Sequence, residues 1–427
     1  KTDDSGTLTL QDVMNDDGSA KGSASDTTCC LTANGGGRGA GIGGSDEHNG
    51  QATITGGKIT ATGGNGAAGI GGGAGDKYTA VGGDGDVTIS GGTITATGGS
   101  LAAGIGGGLD GNGTVTITGG DITAKATGRY GAGIGGGCGE IPKDTLIGGN
   151  GTVTISGGTI TEASGGYMAA GIGSGLQGLG TVTIEGDAVI KNAQGGEAGA
   201  GIGSGTRGNS EIIIRGDAVI ENAESCANGA GIGSGQGDLY YDYDIEETII
   251  DKTVGNVTIE GNAKIENAKS GSGGSGIGGG VIGIGNVIIR GNAQIGNATG
   301  GDEGAGIGGG ALGTGDVTIE GNVTIENAQG GAGAAGIGGG AETKPDTEDT
   351  RNNVSIKSTE AGSPNITAKG GGVLNGGGIL DENAPLAGAA AIGSGSVADG
   401  ATEVTSDITV EGKVTIDATG GGDVAIG

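Results

Sequence analysis

The chain has a single histidine, His48, beside Glu47, and no nucleophile motif surrounds it. General acid–base work needs a positioned partner for such a group. His48 therefore reads as a surface loop residue. Carboxylates are abundant. A paired-carboxylate glycoside hydrolase needs two acids facing one cleft, and the sequence singles out no such pair among its many acids. The densest group is DLYYDYDIEE (238–247), three tyrosines among five carboxylates. These are hard oxygen ligands of the kind Ca²⁺ takes, without the fixed spacing of an EF-hand. The expectation is a solvated acidic loop and no cofactor, with calcium left open. Cys29, Cys30, Cys138 and Cys226 fall at unrelated places, so neither a disulfide framework nor a zinc site is expected. Strings resembling GxGxxG never open a helix, which removes the dinucleotide reading.

Tyrosine offers different chemistry. Tyr78, Tyr130, Tyr167, Tyr240, Tyr241 and Tyr243 all lie outside the regular pattern described below. Leu101, Tyr130 and Met168 each stand four residues before a recurring isoleucine, with Tyr167 adjacent, which predicts a small exposed apolar stripe. Aromatic rings with polar tips suit sugar faces or a protein partner. The candidate ligand-binding residues are Leu101, Tyr130, Tyr167, Met168, Tyr240, Tyr241 and Tyr243. No catalytic and no metal-binding residue is assigned.

The elements that must carry these residues follow from repetition. A VTI-like run with alternating apolar residues recurs from Ala52/Ile54 to Ile408/Val410, and Leu8/Leu10 form the expected first row. Alternation of β-branched residues signals a strand. A second run follows a Gly-Gly or Gly-Asx corner: KITAT (58–62) early, AVIENA (218–223) later. AGIG or a close variant comes third, with Ile at 42, 70, 105, 134, 172, 202, 232, 277, 307, 337 and 392. The undisturbed period is about 28–30 residues. Such a period means stacked repeats. The expected fold is an all-β, right-handed parallel β-helix with three short strands per rung and about twelve rungs. Gly at 115 of 427 residues with only 4 Pro and no Gly-X-Y period excludes collagen. With no Phe or Trp, the core must be a narrow one of Ala, Val and Ile.

In-register stacking predicts ladders. The position after the first strand holds Glu185, Arg215, Glu260, Arg290, Glu320, Lys357 and Glu411 in successive repeats, preceded by Thr55, Ser90, Thr118 and Ser156. Alternating signs are what vertical neighbours require, since like charges directly opposite destabilise. Asn192, Asn222, Asn267, Asn297 and Asn327 recur at the expected corner leaving the second strand, where Asn tolerates left-handed backbone and its amides can stack. Asp187, Asp217, Asn262, Asn292 and Asn322 read as Asx turns. AGIGGG reads either as a tight arch or as a bare glycine face open to a ligand. Thr53, Thr88, Thr116, Thr154, Thr183, Thr258, Thr318 and Thr409 form one outward column. Breaks at Ile213, Ile288 and Ser355, and the scattered T-x-T pairs, argue against an ice-binding face.

Insertions follow Ile70, Ile134, Ile232, Ile337 and Ile392, all at one corner, and others fall at 11–30, 358–364 and 373–388. Loops on one edge of a regular scaffold form a natural recognition surface. The net charge of −29 argues against nucleic acid and anionic membranes, and no apolar run is long enough to span a bilayer.

The phrases GAGIGGG (131–137), GDVTISGGTITATGG (85–99) and AVIKNAQGG (188–196) resemble β-solenoid repeats of secreted or wall-anchored adhesin-like surface proteins of Gram-positive anaerobes. The resemblance covers most of residues 35–340 and implies a secreted or wall-attached β-solenoid of adhesin-like or carbohydrate-binding type. With the loops on one edge, the loop-borne tyrosines and the acidic surface, the expectation is a non-enzymatic extracellular protein that binds glycans or a host or neighbouring-cell protein, without inserting in a membrane. Alternatives are a filament or stalk subunit that self-associates through open terminal rungs, and a polysaccharide lyase or hydrolase of β-helix type. The expected organisation is a first rung with an insertion (1–34), regular rungs (35–340), and C-terminal rungs with longer insertions, expected to be cut short (341–427).

Overall fold

The computed structural model describes residues 7–10, 30–75, 83–138, 149–242, 247–341, 351–373, 387–396, 406–422 and 424–427. The protein is a right-handed parallel β-helix, and the chain divides into two compact units, residues 1–195 and 196–427. In the first unit, the first sheet stacks Thr7–Leu10, Gly50–Ile54, Gly85–Ile89, Gly113–Ile117, Gly151–Ile155 and Gly180–Ile184. Its second sheet starts with Cys30–Asn34 and Lys58–Thr62, and its third starts with Ile42–Gly43 and Ile70–Gly71. The second unit repeats the plan, its first sheet running from Ser210–Ile214 to Ser406–Glu411. Together the units hold about twelve rungs.

Register is residue-on-residue: Val87 pairs with Val115 and Ile89 with Ile117, while Leu8 and Leu10 of the first row pair with Ala52 and Ile54. Alternation then decides what is buried. In the rung beginning at Gly85, Val87, Ile89, Ile94, Ala96, Ala102, Ala103 and Ile105 all face inward and are inaccessible to solvent. The rungs between Gly50 and Ile392 keep most of this set, so columns of Ile lie against columns of Ala, while in the last rung Val410 is exposed. Burying one such Ile contributes roughly 1.5–3 kcal/mol. A ring in place of an Ala would overfill the tube.

The AGIG segment is the tight arch, and the glycine face is not bare. Gly43 and Gly71 have φ of 126° and 129°. A Cβ on either would lie 2.1 Å from the carbonyl oxygen of the equivalent glycine in the next rung. The backbone that approaches so closely is therefore the chain's own. Ala40 N–H donates to Gly44 O across the arch, and Ile42 N–H donates to Gly69 O of the next rung. Both glycines are buried or nearly so. The reading of an open, ligand-ready glycine surface is corrected: close packing of arch on arch leaves no room for a side chain.

The second sheet carries a second correction. Asn222, Asn267, Asn297 and Asn327 lie inside strands, not at a corner, and none has a positive φ. Early rungs space the inward pair two apart, as in Ile122 and Ala124; later rungs space it three apart, as in Ile220 and Ala223. The register shift appears between the strands Asp121–Ala126 and Thr159–Ser164. The extra residue is a bulge, and from Asn192 onward Asn fills it. Its amides bond rung to rung, Asn267 Nδ2 to Asn222 Oδ1 at 3.2 Å and Asn297 Nδ2 to Asn267 Oδ1 at 3.0 Å. The extra residue is gone by Ile366–Ala368, where the register shifts back. Asn327 Oδ1 is accordingly buried with no protein donor.

Candidate functional site

Three consecutive rungs of the first unit bring Leu101, Tyr130, Tyr167 and Met168 to one corner. The turns carrying them stack backbone on backbone. A Cβ on Gly128 would fall 1.5 Å from Ser100 O, and one on Gly166 would fall 2.3 Å from Gly128 O. Met168 N–H donates to Arg129 O at 2.8 Å. The carbonyls of Leu101 and Tyr130 are held in turn by Cys138 N–H at 2.8 Å and Leu176 N–H at 3.1 Å. Ser100 Oγ donates to Asn65 Oδ1 at 2.6 Å, extending the same polar edge by one rung. The apolar stripe is less open than expected. Only Tyr167 is well exposed, at 47%, while Leu101, Tyr130 and Met168 are half-buried. Arg129, exposed between them in sequence, adds a cation. The result is a rigid amphipathic ridge: one protruding ring, half-buried apolar flanks and a guanidinium.

The acidic segment takes a different form from the loop expected of it. Asp238–Asp242 pairs antiparallel with Glu247–Asp251, making a hairpin in which Leu239 opposes Ile250 and Tyr241 opposes Thr248. The hairpin is anchored at its base, where Asp238 forms an ion pair with Arg207. Ile250 packs on a small cluster of Val281, Ile282, Ala311 and Leu312. Tyr240 and Tyr241 are strand residues; Tyr243 lies outside the described residues, as does Tyr78. The inserted residues 76–82, 139–148, 342–350 and 397–405 also lie outside them. Among the described residues no group of three His, Cys, Asp or Glu side chains converges in a way that could hold a metal ion.

The charged file occupies the outer face of the first sheet. Arg290 is register partner of Glu320, and its guanidinium grips Glu260 with Nη2 2.6 Å and Nε 2.7 Å from Oε2. Lys357 pairs in register with both Glu320 and Glu411, with Nζ 3.4 Å from the Glu411 carboxylate. Arg215 follows Ile214, whose carbonyl accepts the Glu260 N–H. Glu185 follows Ile184 in the first unit. A parallel ladder at the Gly-Asx corner joins Asn262 to Asp217 at 2.9 Å and Asn292 to Asn262 at 3.0 Å. These residues hold rungs together.

Two groups with latent reactivity are tied into structure. His48 Nδ1 lies 3.1 Å from Ser45 Oγ and 2.5 Å from Asp46 O, within its own turn. Cys30, Cys138 and Cys226 are thiols and not disulfides; Cys30 and Cys226 are exposed. Cys138 is buried, and burial first, with nearby Asp110 second, pushes its thiol up to about 12. Such a thiol is a poor nucleophile at neutral pH.

Sequence comparison agrees with this architecture. A family model described as a beta helix repeat matches residues 53–74, 87–109, 115–138 and 153–176. Each matched stretch runs from the first strand to the arch of one rung, so the chain is a β-helix repeat protein. Neither the curated proteins nor the solved structures compared with it include a match.

Proposed function

We propose that the protein is a non-enzymatic recognition scaffold of the cell exterior, adhesin-like, that meets a glycan or a partner protein through the ridge of Leu101, Tyr130, Tyr167 and Met168. The observation that carries this reading is the placement of these four residues on one corner over three rungs. An exposed ring stands there on a turn whose glycines pack closely against the backbone of the neighbouring turn. A preorganised ring loses little freedom on binding, and its face suits the apolar side of a sugar or an apolar side chain. The acidic surface favours neutral or cationic partners.

Glycan arrays and pull-downs with the full chain test the reading. An aromatic contact is worth about 0.5–1.5 kcal/mol beyond its area, so Tyr167→Ala is expected to weaken binding roughly 2–10-fold, and Tyr130→Ala with Tyr167→Ala more. Binding that survives both substitutions undiminished removes the ridge from the site.

A further inference from the structure

A shallow cavity of about 340 Å³ opens on the first unit, lined by Asn49, Gln51, Asp84, Asp86, Asn112 and Thr114. Between its outward side chains run Gly50 and Gly85, which face inward: a Cβ would lie 1.8 Å from Gly71 O at Gly50 and 2.0 Å from Gly106 O at Gly85. The walls are held in place. Asn49 Oδ1 accepts the Asp84 N–H at 2.9 Å. Asp84 Oδ1 accepts the N–H of Asn112 at 2.7 Å and its Nδ2 at 3.2 Å. Asn112 Oδ1 in turn accepts the Asn150 N–H at 2.9 Å.

The cavity continues onto the outer face of the first sheet. Register stacks Thr53, Thr88, Thr116, Thr154 and Thr183 into one unbroken column. Thr114, Thr152 and Thr181 stack beside it. Thr55, Ser90, Thr118 and Ser156 follow the same strands on the other side. The T-x-T pairs that look scattered along the sequence are therefore neighbours in space. Rungs repeat at about 4.8 Å, and alternate residues of a strand lie about 6.6 Å apart, so hydroxyls and methyls form a regular grid. β-branched Thr is stiff at χ1, which fixes the grid. The breaks at Ile213, Ile288 and Ser355, like the charge file from Glu260 to Glu411, belong to the other unit. The charges on this face are acidic and few, Asp84 and Asp86 at the cavity and Glu185 after the last of these strands.

We infer that the cavity and the hydroxyl grid form a binding face for a neutral, linear polysaccharide, one sugar unit seated in the cavity and the chain running on across the threonines. The inference rests on the recognition reading but assigns a second site. Amides, hydroxyls and two carboxylates exchange hydrogen bonds with sugar hydroxyls for those with water, while the Thr methyls meet the sugar C–H faces. Asp84 and Asp86 repel acidic sugars.

The test is retention of the full chain in native gels containing mixed-linkage β-glucan or mannan, with polygalacturonate as the acidic control. Thr116→Lys, and Gln51→Ala combined with Asp86→Ala, are each expected to weaken retention by neutral glucan or mannan at least ten-fold at unchanged melting temperature. Tyr130→Ala with Tyr167→Ala is expected to leave it intact, which separates this face from the corner ridge. No neutral retention in the parent chain, retention by polygalacturonate alone, or retention lost only in the tyrosine variants overturns the assignment. Ice shaping by the parent chain that Thr116→Lys abolishes, without neutral retention, overturns it in favour of ordered water.

Discussion

Cys138 shows how far the fold controls a single residue. Its N–H donates to Leu101 O and its carbonyl accepts the Asp110 N–H, so its backbone is tied at two points to the preceding rung. Desolvation leads the rise of its pKa from 9.0 to about 12, and the Asp110 charge adds to it. The native state therefore keeps a proton that the unfolded chain releases near 9.0. Stability from this group is present below that pH and is lost as pH climbs from 9.0 toward 12. Two outcomes are expected. A thiol reagent at pH 8, followed by peptide mass spectrometry, modifies Cys30 and Cys226 in the native protein and Cys138 only after unfolding. The alkaline loss of stability is shallower in Cys138→Ala. Native labelling of Cys138 as fast as that of Cys226 contradicts the burial argument.

At the scale of the strand, outward side chains interact mainly with their counterparts one rung up and one rung down. Arg290 stands between Glu260 and Glu320, so Arg290→Glu places three acids in one file. Cross-strand pairs are worth about 0.2–1 kcal/mol each, and these are exposed enough to be screened. A loss of roughly 1 kcal/mol at low salt is expected, shrinking as ionic strength rises. Adding Glu260→Arg restores part of it. Urea midpoints at two salt concentrations measure both effects, and a midpoint indifferent to Arg290→Glu would refute the ladder as a source of stability. The Asn bulge works on the same principle, with amide bonds where the file uses charge.

For the molecule as a whole, contacts are local to neighbouring rungs, so stability is close to a sum of rung and interface terms. Gly71→Ala tests this. The new methyl would meet Gly106 O at 2.1 Å, with φ at 129°. The backbone strain alone costs about 1–3 kcal/mol. Hydrogen exchange is expected to accelerate in the rungs from Gly50 to Ile117, while amides of the strands Gln294–Thr299 and Thr324–Gln329 keep their protection. A uniform loss across all rungs would show cooperativity that the stacked architecture does not provide.

The amino-acid sequence by itself determined the rung: its period, its three strands, the inward Val, Ile and Ala, and the pairing of equivalent positions. Those follow from alternation and from a core too narrow for rings, both local properties repeated many times. The charge file was legible for the same reason, because vertical neighbours are equivalent positions in the repeat. Only the tertiary structure decided what the glycines of AGIGGG face, since the atom that excludes a Cβ at Gly71 belongs to Gly106 in the next rung. It also decided that Asn222 and its equivalents sit in a bulge, which shows only when one rung is laid on another. The hairpin at Asp238–Asp251 and the cavity between Asn49, Asp84 and Asn112 were hidden in the same way. They depend on where neighbouring rungs put their corners, a relation across space that a linear reading of one repeat does not contain.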